Sequence, residues 1–338
     1  MTRNLFNASL TYATAAWGGC TLKWLNVMSS NLKFGMNGWR MLAIAALMIA
    51  GVGFGLSTRA EAETPPGTTM QHFVSISEFI GTVQVVESDA AKLEILSASQ
   101  GTSGVFGFEI DHTDDATVRV HGTVSPGSMN CIRKNGELQV SIDNGPAVPV
   151  SALPEIVISA PRSSHLELSV RAGDVSIGES GRLDAIVGGC TSIDAGTVNG
   201  EFHLRTTGSA QVQVGRVVRA SIDATQGGMI NVETVTNGLE ARLGGTARLF
   251  SDQIDGDSRF VQAGSSQVLV SMARMDTLDV TLDGASRFGF QGDVLRASFD
   301  IRSAARAIAS GKISLQDVQL LRAGRLTLNG ERWRDEGI

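Results

Sequence analysis

The chain has 338 residues, with 28 Lys and Arg against 34 Asp and Glu, for a formal charge of −6. That acidic balance argues against nucleic acid as a partner and against charge-driven binding to anionic lipid. The length suits one solenoid or two small domains.

Residues 1–35 are of mixed composition and show no clear period, so they read as a surplus leader, with the true start at Met28 or Met36. Trp17-Gly18-Gly19-Cys20 has the look of a lipid-attachment site, but no apolar run precedes it. Residues 36–62 carry an export signal: Asn37-Gly38-Trp39-Arg40, then sixteen uncharged residues from Met41 to Leu56, then Ala60-Glu61-Ala62. Cleavage is expected after Ala62. The apolar run is shorter than the ~20 residues a spanning helix needs; the alternative, a retained anchor, would be the only tie to a membrane. The first 62 residues hold five basic groups and one acidic, which leaves 276 residues (338 − 62) with 23 basic (28 − 5) and 33 acidic (34 − 1), a net charge of −10.

Residues 63–72, with Pro65-Pro66-Gly67, read as an exposed leader. From 73 to 155 the pattern is β but irregularly spaced. Val83/Val85, Leu93/Ile95, Val105 to Ile110, Val118 to Val124 and Leu138/Val140/Ile142 read as strands, with turns at Asp114-Asp115 and Asn135-Gly136. A solenoid end exposes unpaired backbone, and irregular strands there serve as a cap.

Regular coils occupy 156–313. The turn glycines Gly189, Gly208, Gly227, Gly245, Gly264 and Gly284 are 19, 19, 18, 19 and 20 residues apart, and Ser303-Ala304-Ala305 falls where the next turn is due. Apolar residues alternate before each turn, as in Leu239/Ala241/Leu243 and Leu278/Val280/Leu282, and after it, as in Ile230/Val232 and Phe288/Phe290. Period two means half-buried strands. One such unit buries too few apolar side chains to offset the ordering of its own backbone, so the units must stack and share one interior. The expected fold is all-β: a parallel β-helix, or solenoid, of coils of about 19 residues, flattened between two facing parallel sheets, with residues 314–338 closing the far end through Leu315/Val318/Leu320, Leu326/Leu328 and Trp333.

Small-residue turns such as Gly208-Ser209-Ala210 and Gly264-Ser265-Ser266, within β-repeats that follow a signal peptide and open on Phe79-Ile80-Gly81-Thr82-Val83-Gln84-Val85, resemble the head GIN domain family of autotransporter adhesins over residues 73–313. No turn here is a literal Gly-Ser-Gly. The resemblance implies a right-handed β-helix-like superhelix, a place in the bacterial envelope and a role in adhesion, with no catalytic set.

The chemistry-bearing residues point the same way. His72, His112, His121, His165 and His203 lack metal-pair spacing. Asp111-His112-Thr113-Asp114-Asp115 reads as a solvated hairpin tip, with an acid–base or metal site as the alternative. Asp279, Asp283 and Asp300 fall on successive coils, as acidic sites do on polysaccharide-cleaving β-helices, yet solvent-facing carboxylates also keep a solenoid soluble. Arg205, Arg219, Arg242, Arg259 and Arg296 could form a basic stripe for an acidic glycan, or pair with neighbouring Asp. No Gly-x-Ser-x-Gly, phosphate loop, His-Glu-x-x-His or calcium-binding nonapeptide occurs. Cys131 and Cys190 could form a disulfide in an oxidising compartment, or remain two small buried thiols.

The expected protein is therefore an exported, non-enzymatic envelope module with no catalytic, cofactor or metal residues, in the periplasm or on the surface of a Gram-negative bacterium. It would act as an adhesin or scaffold toward a glycan or an envelope protein, with no nucleic acid and with oligomeric state left open. A glycan-active enzyme using a carboxylate cluster, or an envelope signalling partner, are the alternatives.

Overall fold

A computed structural model of the protein describes residues 71–123, 128–134, 137–143 and 145–333. The expected signal peptide and the leader before residue 71 lie outside the described residues. What is described forms one unit, nearly all strand, built of stacked parallel coils of about 19 residues in roughly nine turns. A three-residue 3-10 turn, Val150–Ala152, is the sole helical element among the described residues.

The coil register follows from pairing. Val214 sits opposite Val232, Val232 opposite Ser251, and Ser251 opposite Val270, so residues one coil apart are backbone partners. Before each turn the same holds: Ala241 pairs with Phe260, Phe260 with Val280, and Val280 with Phe299. These strands form the first face of the solenoid, and the strands after the turns form the second. Their inward side chains meet in a continuous core, where Phe260 of the first face and Phe288 of the second lie 5.2 Å apart between ring centroids. Ala241, fully buried on the rung next to Phe260, leaves the volume that the larger ring fills.

Between the faces the backbone turns through a stacked column of left-handed residues, Gly245, Gly264, Gly284, Ser303 and Arg322, with φ of 56°, 71°, 73°, 57° and 61°. Each turn hangs on the one before: Ser265 N–H donates to Gly245 O, Ala285 N–H to Gly264 O, and Ala304 N–H to Gly284 O. Ser303 thus occupies the turn expected of it. In Gln267–Leu282 the strict alternation breaks where the neighbours Ser271-Met272 and Asp276-Thr277 both point outward.

The end built by the irregular strands has an order that spacing does not reveal. Phe73–Ser88 is itself a regular rung. On one side it pairs in parallel with Thr117–Gly122 and Glu155–Pro161, and on the other with His165–Ser180. Residues 162–164 therefore carry the chain past the rung that Phe73–Ser88 fills. The cap proper is made by Glu94–Ser99 and Phe108–Asp114, which add antiparallel to Glu155–Pro161 and Thr117–Gly122. Met129–Lys134, Glu137–Ile142 and Val148–Pro149 make a separate antiparallel sheet with a small apolar cluster of its own, around Ile80, Phe106, Val140 and Val148. A disulfide between Cys131 and Cys190, whose Cα atoms are 5.8 Å apart, ties that sheet to the coils. At the other end the coil register continues through Ile313–Leu320 and Arg325–Leu328, beyond the expected limit at 313. The antiparallel strand Glu331–Arg332 then closes it, with Trp333 packed against the core.

Candidate functional site

Because strands alternate, every second residue of each rung faces solvent, and the rung spacing sets these side chains in columns about 4.8 Å apart. On the first face the densest cluster is His165, Arg182, Asp184, Glu201 and His203. His165 Nε2 lies 2.6 Å from Asp184 Oδ2, Arg182 donates to both oxygens of Asp184 at 2.9 and 3.2 Å, and Arg182 and His203 each come within 3.3 Å of Glu201. Partial burial pushes the Asp184 carboxyl up, but the hydrogen bonds from Arg182 and His165, with their charges, outweigh it and hold it below the usual carboxylate range. Beside the cluster runs an open trough of about 520 Å³, lined by Ser75, Glu167, Asp184, Arg205, Asp223 and Arg242 among others. It is a shallow, charged surface on which Asp184, Arg205, Asp223 and Arg242 each have an ion-pair partner.

A depressed carboxyl contributes stability that is complete above its unfolded value near 4 and is lost as pH falls through the lower folded value. Asp184→Asn is therefore expected to lower the melting temperature by the same amount from pH 7 down to about pH 5. Below about pH 4 the gap should close. Calorimetry across that range checks it, and a gap that persists unchanged to pH 2 contradicts the assignment.

The residues singled out in the sequence fall as follows. Asp114 Oδ1 accepts from Ala116 N–H at 2.9 Å, which makes the acidic run a hairpin tip. Asp279, Asp283 and Asp300 all lie on the first face but have separate partners. Asp300 accepts from Arg302 Nε at 2.9 Å, and Asp279 stands in register with Ser298. Asp283 accepts from Ser303 Oγ at 2.6 Å and Gly284 N–H at 2.7 Å, which hold its carboxyl below the usual range. The expected stripe Arg205, Arg219, Arg242, Arg259 and Arg296 is interleaved with acids and acceptors. Arg205 reaches Asp223 at 4.0 Å, Arg242 reaches Glu240 at 3.1 Å, and Arg259 pairs in register between Glu240 and Asp279. Arg219 donates to Asn237 O and Arg296 to Thr277 Oγ1. Of the histidines, His165 and His203 belong to the cluster above, whereas His72 Nε2 meets Ala91 O and His121 Nδ1 lies 2.9 Å from Ser77 Oγ. No group of three or more His, Cys, Asp or Glu able to hold a metal occurs among the described residues.

A second column is absent from that reading. On the second face Arg248 pairs in register with Gln267, Gln267 with Arg287, Arg287 with Arg306, and Arg306 with Arg325. All four arginines are exposed. The signal lies in the sequence: each of these arginines stands three residues after a left-handed turn residue, Gly245, Gly284, Ser303 or Arg322. It is visible only once the repeat is read in the phase that follows the turn.

Comparison with family models, with curated proteins and with solved structures returns no match to this chain.

Proposed function

We propose that this chain is an exported, non-enzymatic module of the envelope of a Gram-negative bacterium, an adhesin or scaffold that offers a solenoid face to a glycan or protein partner. The observation that carries the reading is the outward side chains: they repeat in register along a long face, and Asp279, Asp283 and Asp300, the carboxylates that fall on successive coils, each meet a different partner. Catalysis of acid–base type needs two or more groups within reach of one reacting atom. A repeating surface instead offers many weak, equivalent contacts, and these add up on a partner that is itself long. The resemblance to head GIN domain adhesins and the export signal over 36–62 support the same reading, as does the net charge of −10 after residue 62.

Fractionation of a bacterium expressing the full chain, with protease added to intact cells, tests it. The expected product begins at Glu63 and lies in the periplasm or is accessible from outside; a chain found only in the cytoplasm, with residues 36–62 intact, overturns the reading. Incubation of the purified protein with neutral and acidic polysaccharides is expected to release no reducing ends. Release that is lost in Asp279→Asn or Asp300→Asn would establish the rival, a glycan-cleaving solenoid.

A further inference from the structure

We infer that the arginine column of the second face is a track for an acidic polysaccharide, a polyuronate whose chain lies along the solenoid axis; this rests on the reading of the protein as one that binds glycans. Three observations carry it. First, Arg287, Arg306 and Arg325 occupy the same register position on three consecutive rungs, with Arg248 two rungs before Arg287. Like charges directly opposite in a ladder repel. The first face relieves such repulsion by interleaving acids, whereas none of these four arginines has a carboxylate within ion-pair distance among the described residues. Second, the imbalance is regional. From Ala285 to Trp333 there are eight basic residues and four acidic (8 − 4 = +4), in a chain that is acidic as a whole.

Third, the next outward column is apolar. Phe250 pairs with Leu269, Leu269 with Gly289, and Gly289 with Ile308. Leu269 is 43% and Ile308 60% exposed. The Leu269 side chain leans over Gly289, where a Cβ would come within 2.9 Å of Leu269 Cδ1, so the apolar column is continuous across the glycine. A row of cations flanked by a row of apolar groups matches a sugar acid, which carries a carboxylate on one edge and C–H groups across its ring. Guanidinium groups grip carboxylates through paired N–H donors, while the C–H face rests on Leu269 and Ile308. A nucleic-acid strand fits less well: its charges recur every ~3.4 Å against rungs about 4.8 Å apart, and its base faces call for aromatic side chains to stack on, where this column exposes the aliphatic Leu269 and Ile308.

The test is binding of polygalacturonate to the purified protein, with dextran, anionic phosphatidylglycerol vesicles and single-stranded DNA as comparison ligands. Polygalacturonate is expected to bind, dextran not, with affinity falling roughly tenfold or more between 50 and 200 mM salt as counterions are released. Arg287→Gln with Arg306→Gln should weaken binding at least tenfold, the matching Lys pair should retain part of it, and Arg205→Gln with Arg242→Gln on the first face should leave it unchanged. Ile308→Asp should weaken it as well and serves as the independent probe if the double variant does not fold. Unchanged binding by the folded Arg287/Arg306 variant, equal binding of dextran, or binding of vesicles or DNA but not of polygalacturonate overturns the track. A wild-type protein that is exported but ignores polygalacturonate sinks this inference alone, whereas cytoplasmic retention sinks the proposed function and leaves the track standing.

Discussion

Deletion of residues 73–88 is expected to abolish cooperative folding of the whole chain, although they lie at the very start of the described structure. Val74, Ile76, Phe79, Ile80, Val83 and Val85 are each at most 2% exposed. At about 2 kcal/mol apiece they account for roughly 12 kcal/mol of burial, comparable with the total stability of about 5–15 kcal/mol of an ordinary domain. The loss extends beyond side chains. Phe73–Ser88 hydrogen-bonds along both of its edges, so without it the strands Thr117–Gly122 and Glu155–Pro161 face His165–Ser180 across an empty rung. Circular dichroism and urea titration check the prediction: the deleted chain should lose its sigmoidal transition, and a synthetic peptide of residues 73–88 added in trans should restore it. A deletion variant that unfolds at the wild-type midpoint would show that this rung is dispensable.

Gly173→Ala is expected to cost about 4 kcal/mol or more, among the largest effects a single methyl group can have. Gly173 has φ of 130°, and a Cβ there would overlap the carbonyl oxygen of Gly81, whose own absent Cβ faces Pro154 O. Three rungs of backbone are thus in contact at this corner, with no room for a side chain on two of them. For a unit of this size the loss corresponds to a fall in melting temperature of roughly 10 °C. Gly104 supplies the control. Its φ of 63° is also left-handed, but nothing lies within 4 Å of the place its Cβ would take, so Gly104→Ala should cost only about 1 kcal/mol of backbone strain. Equal losses at the two sites would show that dihedral strain, and not close approach, sets the requirement for glycine.

The solenoid was legible in the sequence because each coil writes the same local instruction: alternation, a turn residue, alternation again. That is why residues one coil apart, such as Val214 and Val232, are backbone partners. The place of Phe73–Ser88 was not legible. Its alternation is that of any rung, and nothing in its spacing records that it lies between two stretches joined by residues 162–164. The partner of Cys131 was equally hidden, since two cysteines 59 residues apart leave both a bridge and two free thiols open, and the choice depends on how the side sheet docks on the coils. The breaks in alternation, such as the successive outward residues Ser271-Met272, were not legible either, since nothing in their composition separates them from strand residues. Among surface groups, the arginines before the turns stand out in the sequence by recurring on the first strand of each coil, and neighbouring acids pair with Arg205 and Arg242. Arg287, Arg306 and Arg325 are less visible because each stands three residues after a turn, where a lone cation looks like ordinary solvation.

Both termini of the stack are finished by strands of opposite polarity, Glu94–Ser99 and Phe108–Asp114 at one and Glu331–Arg332 at the other. A second copy that arrived end to end would meet, at these strands, backbone running the wrong way for continued parallel winding, so simple continuation of the coil from copy to copy is disfavoured there. Anything the molecule grips along its axis must be commensurate with its pitch.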